Sequence, residues 1–102
     1  MGWATSYIED LKKGKTVEFR PRGNSMTPLI KSGQLCTVTP IDSEAVLTKG
    51  NIVLCKVRGN QYLHKVIGIR DGGQMVQIGN NHGRVNGWTS RHQVFGLLTG
   101  VV

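Results

Sequence analysis

Apolar positions in this chain fall into short, strand-length runs separated by turn residues. Thr16 to Arg20 alternates apolar and polar, and Leu35 to Thr39, Ile52 to Val57, Tyr62 to Ile69, Met75 to Ile78 and Val94 to Val102 are further apolar segments. Arg58-Gly59-Asn60-Gln61 predicts a hairpin between two of them, and Asp71-Gly72-Gly73 and Asn86-Gly87 predict further turns. Pro21 to Pro28 and Pro40 to Lys49 read as loops, and Gly96 and Gly100 suit bends in the last strand. Only the N-terminus has helical spacing. Trp3, Tyr7, Ile8 and Leu11 share one face, Thr5 or Ser6 is placed to cap, and Gly14 ends the pattern, predicting about three turns. The pattern predicts one mostly β domain, a small bent sheet or barrel over residues 16–102, with residues 1–15 packed on it as a short amphipathic helix. A helix lying on a membrane surface is the alternative for that segment, favoured by Trp3 and the lysines after it but too short to anchor alone.

The 102 residues leave room for one core. No run approaches the ~20 apolar residues of a membrane span, and the first eleven residues carry Glu9 and Asp10 without the apolar stretch of a secretory signal. Cys36 and Cys55 lie in separate apolar runs and form no C-x-x-C pair, which predicts buried, reduced thiols and a cytoplasmic protein. Thirteen Lys and Arg against six Asp and Glu give a net charge of +7. That excess fits an anionic partner, whether nucleic acid, an acidic protein or a membrane surface, or simply a solvated basic surface, since the charges are spread from Lys12 to Arg91. His64, His82 and His92 lack metal-ligand spacing, so no metal or other cofactor is expected. The loop from Gly79 to Arg84 reads either as a phosphate contact through backbone N–H groups and Arg84 or as a plain connection.

The segment richest in chemistry is Arg22-Gly23-Asn24-Ser25-Met26-Thr27-Pro28. A serine on close-turning backbone between Gly23 and Pro28 can aim its hydroxyl and its own N–H at one point, as a nucleophile with an oxyanion donor must. Further on, Lys49-Gly50-Asn51-Ile52-Val53 opens a strand, and Tyr62-Leu63-His64-Lys65-Val66-Ile67-Gly68 returns from the hairpin. In a strand His64 shares a face with Tyr62 and Val66, whereas Lys65 faces the other way with Leu63 and Ile67.

These segments, in this order, resemble the superfamily of type I signal peptidases and LexA-like self-cleaving repressors, whose signature runs G-x-S-M-x-P, then K-G-D-[IV]-V, then Y-[IV]-K-R-V-[IV]-G or V-H-R-V. Gly23-Asn24-Ser25-Met26-Thr27-Pro28 matches the first block, and His64 stands in the general-base position of the last. A histidine there is similar to the endoplasmic-reticulum and archaeal signal peptidases. Ile78-Gly79-Asn80-Asn81 resembles that branch's G-D-N-N, extending the likeness from about residue 17 to the C-terminus. The resemblance implies a LexA- or signal-peptidase-like β core, Ser25 as nucleophile, His64 as base, and Gly23, Asn24, Met26 and Pro28 lining the substrate site.

The departures lie in the acids. Where the histidine branch has a carboxylate to orient its base, in G-D-N-N or in a D-D pair shortly after, this chain has Asn80 and Asn86. Asn80 or Asn81 is therefore expected to orient His64, with an amide that cannot neutralise an imidazolium. In serine triads exchanging Asp for Asn costs about 10⁴ in turnover. The expectation is a peptidase-like domain acting mainly as a binding or effector module toward a protein or peptide in its cleft, of the kind a phage or mobile element encodes. A working Ser–His endopeptidase or self-processing hydrolase is the alternative, and a basic nucleic-acid-binding protein a second one. Without an anchor it is not expected to be an ordinary signal peptidase. Without a helix-turn-helix domain or an Ala-Gly or Cys-Gly linker it is not expected to be an intact self-cleaving repressor.

Overall fold

The computed structural model describes residues 2–102. One helix, α1 (Thr5–Lys12), precedes seven strands: β1 (Val17–Phe19), β2 (Cys36–Pro40), β3 (Ile52–Val57), β4 (Asn60–Arg70), β5 (Met75–Gly79), β6 (Val85–Ser90) and β7 (Val94–Val101). They form a single antiparallel sheet in the order β1-β2-β7-β3-β4-β5-β6. The protein is mostly β, as its alternating runs predict. The sheet stays open, with β1 and β6 at its two ends, and curls until the Thr89 hydroxyl on β6 donates to the Lys56 carbonyl on β3 at 2.8 Å.

The curl has identifiable causes. Register shifts leave Thr99 and Phe95 unpaired on β7, Ile67 unpaired on β4 and Asn86 unpaired on β6. Each such bulge bends its strand and increases the local twist. Strand alternation then sorts the apolar side chains into two clusters. Leu54 and Leu63 join Ile8, Leu11, Phe19, Met26 and Val38 in one; Val53, Cys55, Val57, Val66, Val76 and Ile78 form the other. Both cysteines are fully buried and unbridged, and burial pushes the Cys55 thiol up to about 12 and raises that of Cys36.

The helix corrects the sequence reading in two respects. It spans 8 residues, about two turns instead of three, and neither Thr5 nor Ser6 caps it. Gln61, at the start of β4, does so from outside the helix: its Oε1 accepts the Ala4 N–H at 2.7 Å and its Nε2 donates to Thr5 Oγ1 at 2.9 Å. The buried face, Ala4, Ile8 and Leu11, lies on the sheet, and Gly96 makes the fit possible. A Cβ there would sit 2.6 Å from Val38 Cγ1 and 2.9 Å from Leu11 Cδ1, so this glycine serves close packing as well as the bend expected of it. Asn86-Gly87 is not a turn: it lies inside β6, and the β5–β6 connection runs through 80–84. The β3–β4 turn is tighter than predicted, with Val57 paired to Asn60 around Arg58 and Gly59, and Arg58 takes a left-handed φ of 52°. No helix among the described residues is long and apolar enough to cross a membrane.

Candidate active site

Ser25 lies on the irregular turn between β1 and β2. Gly23 enters this turn at φ 107°, a conformation that costs a side-chain-bearing residue dearly and glycine nothing. Its N–H donates to Ser32 Oγ at 3.1 Å, and the Ile30 N–H reaches the Met26 carbonyl at 3.0 Å, closing the turn on itself. Met26 points inward and is 4% exposed, while Ser25 is exposed. The neighbours thus diverge, one anchoring the turn in the core and the other presenting its hydroxyl. Among the described residues, the Ser25 and Met26 N–H groups donate no hydrogen bond.

His64 comes from β4, paired with Val53 of β3 and stacked under Tyr62 at a ring-centroid distance of 4.9 Å. Its Nε2 lies 3.1 Å from Ser25 Oγ, and its Nδ1 lies 2.7 Å from Asn86 Oδ1. An amide oxygen only accepts, so Asn86 fixes the tautomer with the proton on Nδ1 and leaves the Nε2 lone pair facing the serine hydroxyl. Burial lowers the His64 pKa below its ordinary value, the Asn86 hydrogen bond opposes the shift, and the positive charge of Arg84 adds to it. The imidazole is thereby held neutral near pH 7, the form that accepts a proton.

Asn86, and not Asn80 or Asn81, is the residue that touches His64. Asn80 is committed to its own loop, its Oδ1 accepting the N–H groups of His82 and Arg84 at 2.8 and 2.9 Å. Asn81 lies behind the serine: its N–H donates to the Ser25 carbonyl at 2.9 Å, its Nδ2 to the Thr27 carbonyl at 2.9 Å, and its Oδ1 accepts Lys65 Nζ at 2.8 Å. His82 adds a third tie, its Nε2 lying 3.0 Å from the Asn24 carbonyl and 2.9 Å from Thr27 Oγ1. The 80–84 loop is therefore a clamp on the back of the serine turn. Its N–H groups at Asn81, His82 and Arg84 are spent within the protein, which removes the phosphate cradle considered from sequence. Lys65 faces away from Ser25, as strand alternation requires, and serves the same clamp.

A cleft of about 600 Å³ opens in front of Ser25 and His64. Gly23 and Met26 line it, whereas Asn24 and Pro28, also expected there, do not. The Asn24 carbonyl turns to Thr27 and His82 instead, and Pro28 lies exposed beyond the turn. Residues that sequence reasoning did not assign to the site, Trp3, Tyr7 and Phe19, supply much of the opposite wall. Trp3 and Tyr7 share the apolar face of the N-terminal segment and Phe19 lies on β1, and neither pattern by itself marks a cleft. Among the described residues no cluster of three His, Cys, Asp or Glu side chains comes together to hold a metal ion.

A serine hydroxyl, an imidazole and an amide are thus joined by consecutive hydrogen bonds, the geometry that a nucleophile, its base and an orienter would require. No protein-family model matches the chain, and no curated protein does.

Proposed function

We infer that this protein is a peptide-binding serine hydrolase of low turnover, in which Ser25 attacks a carbonyl carbon and His64 moves the proton. The observation that carries the reading is the unbroken line Asn86–His64–Ser25 at 2.7 and 3.1 Å, opening on one cleft. The resemblance to histidine-type signal peptidases agrees with it in the identity and order of Ser25 and His64.

As the Ser25 oxygen bonds to the carbonyl carbon, its proton passes to Nε2 and the carbonyl π electrons move onto oxygen. The Ser25 and Met26 N–H groups are the donors nearest to that oxyanion. Collapse breaks the C–N bond, and the leaving amine takes the proton from Nε2. Water then cleaves the acyl ester by the same route in reverse. The weak point is the imidazolium formed on the way. A carboxylate would neutralise it, whereas the Asn86 amide oxygen orients the ring and holds its tautomer without offsetting that charge. Low turnover follows, so binding in the cleft outlasts chemistry.

A second reading, a binding module without turnover, is favoured by that same amide. Mass spectrometry of a peptide library incubated with the protein separates the two. Hydrolysis expects slow cleavage that Ser25→Ala abolishes. Peptides retained but never cut, equally by wild type and Ser25→Ala, leave the binding module.

A further inference from the structure

The cleft beside Ser25 is uneven in its chemistry. Tyr7 stacks on Phe19 at 4.6 Å between ring centroids, and Trp3 stands edge-on to Phe19 at 5.5 Å. Trp3 stays 50% exposed even though its indole N–H reaches the Gln61 carbonyl at 3.4 Å. An indole pinned on an aromatic bed and left open to solvent loses little freedom when a ligand covers it, which is the character of a binding anchor. Beside this wall the cleft carries Arg20 and Arg22, both exposed. No Asp or Glu lines it, and among the described residues neither guanidinium pairs with a carboxylate. Arg20 spends one N–H on the Gly33 carbonyl at 2.9 Å, and its other donors, with all of those on Arg22, remain for a ligand.

We propose that the cleft selects an acidic peptide segment in which an aromatic or large aliphatic side chain lies next to a carboxylate. The apolar side chain covers Trp3 against Tyr7 and Phe19, and the carboxylate meets Arg20 and Arg22, whose planar forks suit its two oxygens. The proposal rests on the cleft being where peptides bind, as the hydrolase reading holds, but requires no turnover.

The test therefore uses Ser25→Ala combined with Trp88→Phe, which leaves Trp3 as the only indole of the two in the chain. Trp3 fluorescence is titrated with N-acetylated, C-amidated hexapeptides of otherwise Gly and Ser, their central pair being Phe–Glu, Phe–Gln, Phe–Lys or Ala–Glu. The expected order of affinity places Phe–Glu first, roughly two- to fivefold tighter than Phe–Gln, the span of a good exposed charge pair. Phe–Lys is weakest, and the Glu preference shrinks as salt rises. Arg20→Gln with Arg22→Gln should erase the Glu-over-Gln preference while keeping that for Phe over Ala. Arg22→Gln alone, whose native side chain makes no hydrogen bond among the described residues, should halve the preference or better if the double variant melts early. Equal affinity for the Glu and Lys peptides, or no response to any of them at millimolar concentration, overturns the proposal. So does quenching of Trp3 by a single-stranded oligonucleotide where the peptides fail. Ser25 acylation that persists in a chain blind to these peptides sinks this proposal and leaves the hydrolase reading standing; peptide selection without acylation does the reverse.

Discussion

Asn86 is held 2.7 Å from the His64 ring by one extra residue in a strand. On β5, Ile78 faces Gly87 and Gly79 faces Val85, so Asn86 has no partner of its own and bulges out of the ladder toward β4. Regular pairing would place an alternating side chain there and send the amide elsewhere. The bulge thus sets the tautomer of the base two strands away.

Replacing that amide with a carboxylate should raise reactivity. Asn86→Asp is expected to speed Ser25 acylation by a fluorophosphonate at least about tenfold, well inside the range an Asp-for-Asn exchange spans. Asn80→Asp should stay within about twofold of wild type, because Asn80 caps the N–H groups of its own loop. Second-order labelling rates for both variants check this, and an equal gain from both would mean that the electrostatic field, not the contact, sets the rate.

The acylation rate should follow the neutral fraction of His64. Its folded pKa lies below the ordinary 6.5, chiefly through burial, so the rate should climb to its plateau with a midpoint below that value. Stability has a matching sign. Below about 6.5 the unfolded chain binds a proton that the folded chain resists, so the His64 contribution is complete above that pH and is lost as pH falls through the folded pKa. In Asn86→Asp the carboxylate favours the charged ring, and the midpoint should move up. A rate profile and a series of melts at constant ionic strength measure both; a midpoint above 6.5 in wild type contradicts the burial argument.

Ser25 and Met26 should respond oppositely to mutation. Met26→Asp buries an unpaired carboxylate where 4% of the side chain is exposed, at a cost above roughly 4 kcal/mol, a large part of a small domain's total stability. Ser25→Ala removes an exposed hydroxyl and should leave the melting temperature within about 2 °C of wild type. Circular-dichroism melts decide, and equal loss in both would make Ser25 a structural turn residue.

Gln61 ties the helix to the hairpin. Gln61→Ala should cost about 1 kcal/mol, the worth of a helix cap, and lower the melting temperature by roughly 4–8 °C for a domain this small. It should also shift Trp3 fluorescence, because the lost side-chain bonds hold Ala4 and Thr5, the helix end next to the indole. A melt shift without a Trp3 response would detach the cap from the cleft.

Six of the seven strands were legible because they depend on local pattern, and the Ser25–His64 pair because its segments resemble a known family's in content and order; β6 was not, since its Asn86-Gly87 reads as a turn. The apolar run Ile52–Val57 and its flanking turn residues marked β3 to the residue, and alternation put His64 opposite Lys65 in facing. What escaped depends on long-range register. Asn86-Gly87 carries a strong turn signal, yet pairing with β5 overrides it and converts the surplus residue into the bulge that orients His64. The Gln61 cap escaped for the same reason: its partners Ala4 and Thr5 lie at the other end of the sequence, and no local motif reports them. The match of Asn80 to an acid position misled because a loop side chain bonds first to the N–H groups nearest it.

If Asn86 and His64 make Ser25 a nucleophile, intact-mass analysis after exposure to a fluorophosphonate at pH 8 reveals it. A single adduct is expected on wild type, mapped to Ser25 and absent from Ser25→Ala, with His64→Ala slowed at least about a hundredfold, the usual worth of a general base. An unlabelled wild type, or one labelled no faster than His64→Ala, would contradict it.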